Sequence, residues 1–146
     1  MRISMIMAVL FVTACGVLDN KLVSANSLSD LTAINWTVNS LQGESVIKGT
    51  ALNFSVFEDG RVKGNAGVNS YNSRWQIDAN TIKTSDLAVT KMSLSDNPGV
   101  MQQEQRFLTA LTAVTSWQIV DKQLQFFQAE KLIVTFKNNG EIKSVK

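Results

Sequence analysis

The sequence contains no histidine, a single cysteine, a single proline and no marked excess of charge of one sign. Without histidine there is no imidazole metal ligand, no His-based triad, no Cys–His dyad and no histidine pH switch. The 14 basic and 12 acidic side chains leave a formal charge of +2, too small for a general nucleic-acid binder. Internal repeats and low-complexity tracts are also missing. What is present, 45% hydrophobic and 18% charged residues in a chain of 146, describes one folded domain with a real core and excludes disorder.

The first residues carry an address. Arg2 supplies a positive start, and Ile3 to Ala14 is almost wholly apolar. That run is too short to cross a hydrocarbon layer, which needs ~20 helical residues, and it matches a secretory signal. The sole cysteine stands where the run ends, in Val12-Thr13-Ala14-Cys15-Gly16. This resembles the bacterial lipobox, which implies lipidation at Cys15 and removal of residues 1–14; Thr13 departs from the Ser or Ala usual there. Two or more acyl chains anchor stably where one does not, and acylation removes an otherwise unpaired exported thiol. Gly16, a residue other than Asp after the anchor, implies by the same resemblance transfer to the outer membrane, facing the periplasm. Residues 15–30 read as a tether with a reach of at most about 50 Å, and residues 31–146 as the domain.

From Ile34 onward the chain reads as short strands between turn signals. Leu52, Phe54 and Val56 alternate onto one face, as do Leu132, Val134 and Phe136. Further strands are expected at Trp36–Leu41, Arg61–Gly64, Arg74–Ile77, Thr81–Lys83, Trp117–Ile119 and Leu124–Phe126. Asp59-Gly60 predicts a type I′ hairpin turn, and Ala79-Asn80, Asp121-Lys122 and Asn138-Asn139-Gly140 predict further turns. One helix is expected after Asn97, a potential cap, with Pro98 in its first position. Its apolar stripe is Val100, Phe107, Leu108 and Leu111, on which Glu104 is a polar intrusion. The fold class is therefore α+β: a curved, barrel-like antiparallel sheet of about eight strands with one packed helix.

Chemistry is sparse in this pattern. Ser45-Val46-Ile47-Lys48, Ser95-Asp96-Asn97 and Lys83-Thr84-Ser85 mimic the elements of penicillin-recognising serine enzymes. Their order is wrong, and Ser45 lies in a loop-to-strand region rather than at the start of a buried helix. Glu58 and Asp59, adjacent on a strand, point to opposite faces and do not converge on one bond. Gly60, Gly64 and Gly67 are not followed by G-K-[ST], so they form no phosphate loop. No catalytic residue, metal ligand or cofactor site is expected. Arg61 and Lys63 share one face of a strand, where they would meet an anion or, more simply, protect a sheet edge. Phe126 and Phe127 are adjacent, so one of them must look away from the core unless the helix covers that second face. Arg61, Lys63, Phe126 and Phe127 make up the candidate binding surface.

The run from Asp59 to Tyr71, D-G-R-V-K-G-N-A-G-V-N-S-Y, resembles the signature of the META domain, typified by HslJ-like heat-inducible lipoproteins. Trp36, Thr90-Lys91-Met92 and Glu104-Phe107-Leu108-Leu111 extend the resemblance over roughly residues 31–137. It marks Asp59, Gly60, Gly64, Gly67, Asn69, Thr90, Lys91 and Met92 as motif residues of structural character. Members often carry cysteines where this chain has Val68 and Leu94, so a thiol pair is replaced by packing and a redox role for the loop is excluded. For function the resemblance implies envelope stress tolerance and an association with antibiotic sensitivity, without a catalytic set. The expectation is a non-enzymatic accessory lipoprotein. It would be held to the membrane by its lipid and would bind an envelope protein or a hydrophobic small molecule, not nucleic acid. A pilot-type chaperone for an outer-membrane assembly is the alternative, and a small hydrolase or hydrolase inhibitor a weaker one.

Overall fold

The computed structural model describes residues 27–32, 34–92 and 97–141. Cys15, the signal sequence and most of the expected tether lie outside the described residues, as do Leu94, Ser95 and Asp96. The described chain opens with α1 (Leu28–Leu31), a single turn closed by a capping box between Ser27 and Asp30. It occupies the end of the segment read as a tether and buries Leu31 completely, where the carbonyl of Leu31 accepts from the Trp36 indole at 3.1 Å.

Nine strands follow: β1 (Ile34–Leu41), β2 (Glu44–Ser45), β3 (Asn53–Val56), β4 (Arg61–Asn65), β5 (Ser70–Asp78), β6 (Thr81–Val89), β7 (Ser116–Val120), β8 (Gln123–Gln128) and β9 (Lys131–Glu141). Helix α2 (Pro98–Ala113) stands between β6 and β7. All pairings are antiparallel, and β1 pairs with both β3 and β9, closing eight strands into a barrel with β2 as an extra strand beside β1. Closure leaves few free edges. The expected α+β barrel with one packed helix is the fold observed.

Strand alternation fills the barrel with side chains. Trp36, Phe54, Trp75, Trp117, Phe126 and Phe136 are all at most 3% exposed. Phe126 and Phe136 meet edge to face at 4.7 Å between centroids, and Phe54 meets Phe126 at 5.1 Å. Such packed rings contribute beyond their area and leave the lumen solid.

Three local expectations need correction. The Asp59-Gly60 hairpin exists, with Gly60 at φ +79°, but only Gly60 has positive φ. The Gly60 amide donates to Phe57 O and the Phe57 amide to Arg61 O, so a turn over Phe57–Gly60 ends in a left-handed glycine instead of forming a type I′ pair. Asn138-Asn139-Gly140 does not turn the chain; it lies inside β9 as a bulge, where the register slips between Ile34↔Glu141 and Trp36↔Asn138. Asn97 does sit at the cap of α2, yet its side chain makes no capping bond; its carbonyl accepts from Val100 N instead. By contrast, Asp121-Lys122, with φ of +51° and +64°, is the tight two-residue turn expected there.

Candidate functional site

Three places bring the motif residues and the candidate surface together. The first is a buried polar latch between α2 and the loop after β4. Glu104 lies one turn before Phe107 on the inward face of α2 and is only 4% exposed. Its Oε2 accepts from the amides of Val68 at 2.9 Å and Asn69 at 2.7 Å, and its Oε1 accepts from the Asn69 side-chain amide at 2.6 Å. Gly67, at φ +122°, shapes the loop that presents these donors. The Asn69 oxygen accepts in turn from the Thr90 hydroxyl at 2.8 Å and Met92 N at 2.7 Å, and its amide also donates to Met92 O at 3.0 Å. Every hydrogen-bonding position of the Asn69 amide is used.

The latch explains much of the motif. Asn69 and Thr90 act through their side chains and Met92 through its backbone, while the Met92 side chain is 64% exposed and Lys91 is exposed too. With both oxygens occupied inside the fold, Glu104 organises loops and faces no substrate. Along the sequence Glu104 reads as a flaw in an apolar stripe. The signal was present nonetheless: an acid on a buried face requires hydrogen-bonding partners.

The second place is the outer surface at the β3–β4 hairpin. Arg61 and Lys63 project from β4, with the guanidinium carbon 5.4 Å and the ammonium 4.9 Å from the centroid of the half-buried Phe57 ring. Arg61 also pairs with Asp59. The Arg61 amide, and then its guanidinium, hold the exposed Asp59 carboxyl below the usual carboxylate range. β4 is flanked by β3 and β5, so these cations protect no sheet edge, and that reading is corrected. Gly60 closes the hairpin against β5, where a Cβ would meet Trp75 O at 2.5 Å. Phe126 belongs to the core at 0% exposure and so drops out of the candidate surface; alternation leaves Phe127, half-buried, as the outward member. Ser45 is exposed in β2, not at a helix start, so the resemblance to serine enzymes has no structural counterpart.

The third place has no counterpart in the sequence pattern. β6 touches β7 through the single pair Thr81↔Ser116 and then diverges, and the C-terminal part of α2 lies along the gap. The Thr84 hydroxyl donates to Thr112 O at 3.3 Å, and Ile82 N donates to Thr115 O at 2.9 Å. A bulge between β5 and β6, with Asp86 at φ +54°, widens the gap into a cleft of 220 Å³. Tyr71, Trp75, Leu87 and Leu111 supply its apolar walls; Thr84, Asp86 and Thr112 are among its polar residues. Among the described residues, no group of three or more Cys, Asp or Glu side chains is placed to hold a metal.

Tyr71 links cleft and barrel. It is 3% exposed and donates to Asn53 O at 2.8 Å, and burial pushes its phenol well above the ordinary value near 10. The folded state thus holds this proton more tightly than the unfolded chain does. The resulting stability is fully present below a pH of about 10 and is lost as pH rises from there towards the folded pKa. Tyr71 is the only tyrosine, so tyrosinate absorbance reports on it alone. That absorbance is expected to appear together with unfolding as followed by tryptophan fluorescence. Tyr71→Phe should flatten the alkaline loss while costing about 1 kcal/mol at neutral pH. Ordinary titration of the phenol within a folded protein would refute the assignment.

The family model described as META domain matches residues 29–141. No curated protein is significantly similar to the chain. Among solved structures, a protein determined by NMR is similar at 18% identity and a TM-score of 0.62, over 77% of this chain and 94% of that one. A second NMR structure, of a protein from Burkholderia xenovorans, has the same identity, 18%, and TM-score, 0.62, over 80% of this chain and 90% of that one. A DUF4847 family protein from Bacteroides vulgatus, solved by crystallography, is 16% identical with a TM-score of 0.54, over 77% of this chain and 96% of that one. At these identities the three structures establish a shared fold.

Proposed function

Because the chain belongs to the META domain family, we propose that it is a binding module of the bacterial cell envelope rather than an enzyme. In this reading a lipid on Cys15 holds it to the outer membrane, facing the periplasm. There it serves an accessory role in stress tolerance by receiving an apolar segment of a partner protein. The observation that carries the reading is the 220 Å³ cleft between β6 and α2, with Tyr71, Trp75, Leu87 and Leu111 as its walls. The barrel interior is filled by aromatic rings, so an apolar guest has no room there and enters at the cleft. The most buried acid among the described residues, Glu104, is already committed to the latch. Confinement to one membrane face raises effective concentration, so a small cleft with modest affinity suffices.

The pilot-type chaperone is a special case of this reading, in which the guest comes from one subunit of an outer-membrane assembly. Crosslinking in intact membranes separates the two: a single assembly subunit marks the pilot, and a diffuse set of proteins marks the general accessory role.

The test is a rescue experiment. Deletion is expected to sensitise cells to outer-membrane stress or bulky antibiotics, and the anchored wild type to restore tolerance. A Cys15→Ser form exported by another signal should restore it poorly. So should Thr112→Arg, which places a bulky charge at the mouth of the cleft from an exposed helix position. Full rescue by the unanchored domain at matched abundance would refute the anchored role, and full rescue by Thr112→Arg would refute the cleft.

A further inference from the structure

On the barrel wall, a second concavity of 680 Å³ runs across β9, β1, β3, β4 and β5. Its side chains are unusual in kind: Asn35, Asn53, Asn65, Asn72 and Asn139, with Lys63 the only charged residue in the lining. Two interruptions of the sheet produce it. The β1–β9 register slips between Ile34 and Trp36, which takes Asn35 and Asn139 out of regular pairing. The β3–β4 ladder pairs Ser55↔Lys63 and Val56↔Val62, then resumes only as the bridge Leu52↔Ala66. In the gap between, the Tyr71 hydroxyl donates to Asn53 O, and the Asn53 side-chain oxygen accepts from Asn65 N at 2.9 Å. Gly64 also lines the concavity, at the closest approach of β4 to Asn53 O and the Tyr71 hydroxyl. Bulges of this kind re-aim side chains and recur beside binding sites.

The amides divide into two sets. Asn53 and Asn65 are occupied by the fold, since Asn65 Oδ1 accepts from Gly67 N at 2.8 Å. The side chains of Asn35, Asn72 and Asn139 make no hydrogen bond to another described residue. Each therefore offers a carbonyl acceptor and a two-proton donor to the groove. We propose that this groove is a binding site for a neutral glycan carrying hydroxyl and acetamido groups.

The chemistry favours that class over its rivals. A hydroxyl both donates and accepts, so adjacent sugar hydroxyls match the paired donor and acceptor of an asparagine amide. A polyanion would call for several cations, and only Lys63 lines the groove. An extended peptide binds by adding to an open strand edge, but β1, β3, β4 and β5 each have partners on both sides in the closed barrel. Side-chain amides are then the groups on offer. The volume falls within the range of about 300–1,000 Å³ typical of small-ligand sites. This site shares only Tyr71 with the β6–α2 cleft and does not depend on the function proposed for it.

The experiment is calorimetric titration of the full-length chain with N,N′,N″-triacetylchitotriose and with maltotriose, which has hydroxyls but no acetamido group. Saturable binding of triacetylchitotriose is expected, and weaker binding of maltotriose. Asn72→Ala and Asn139→Ala should each weaken it about three- to tenfold, the worth of one net hydrogen bond. Both positions are exposed, so thermal melting should be unchanged. Thr112→Arg, in the cleft, should leave glycan binding intact even where it abolishes rescue in cells, so the two readings fail independently. Absence of saturable binding to triacetylchitotriose overturns the proposal. So does binding that survives the Asn72→Ala, Asn139→Ala double variant, or displacement of the sugar by an unrelated extended peptide at the same amides.

Discussion

Replacing Glu104 by alanine is expected to destabilise the domain by about 3–5 kcal/mol, a large share of the 5–15 kcal/mol that holds a typical domain folded. The substitution removes the acceptor of two backbone amides, Val68 and Asn69, and of the Asn69 side chain. Each buried donor left without a partner costs about 1–3 kcal/mol, more than the net value of the bond it made. Asn69 is 3% exposed, so water does not readily replace the lost carboxylate. Glu104→Gln should cost less, because one oxygen survives, but its new amide faces donors and part of the penalty stays. Asn69→Ala should be strongly non-additive with Glu104→Ala, since the two share one network. Urea midpoints at constant slope measure all three. A loss below ~1 kcal/mol for Glu104→Ala would show that the latch does not hold the helix to the barrel.

Gly64→Ala should be nearly as damaging, at about 3 kcal/mol or more. A methyl group there would overlap the carbonyl oxygen of Asn53 and stand 2.7 Å from the Tyr71 hydroxyl. The first obstacle is backbone, so relief requires β3 and β4 to move apart where Tyr71 already bridges their interrupted ladder. Tyr71→Phe removes only the second obstacle; the double variant should cost less than the sum of the two singles without approaching wild type. Gly43→Ala is the control. Gly43 has φ +84° but nothing within 4 Å of a Cβ, so it bears turn strain alone, about 1 kcal/mol. Equal losses at Gly43 and Gly64 would mean that close approach is not what Gly64 provides.

These two sites illustrate how much of the molecule is legible along the chain. Gly64 is visible in the sequence as a motif residue, yet it is needed for the space it leaves, whereas Gly43 is needed only for its φ. The strands around Phe54, Trp75, Phe126 and Phe136 are legible because a period of two decides which side chains go inward, whatever lies opposite. The extent of α2 is legible from its apolar spacing and from Pro98, and the Asp121-Lys122 turn from its position between two alternating runs. The META resemblance also rests on local motifs and is borne out over residues 29–141.

Pairing between distant segments decides the remainder. Glu104 looks like a flaw in a stripe until Val68 and Asn69, 36 and 35 residues away, are brought to it. Asn138-Asn139-Gly140 has the composition of a turn and becomes a bulge because β9 is needed to close the barrel against β1. Arg61 and Lys63 have the look of edge protection, and closure leaves β4 no edge to protect. By itself the sequence determined which strand residues alternate inward, where several of the turns lie and which family the chain joins, because hydrophobic period and backbone preference act over a few residues. Only the tertiary structure decided that the barrel closes, that one acid locks helix to loop, and that a cleft and an asparagine-lined groove open on its wall. Those features depend on hydrogen-bond partners and free volume contributed by segments far apart in the chain.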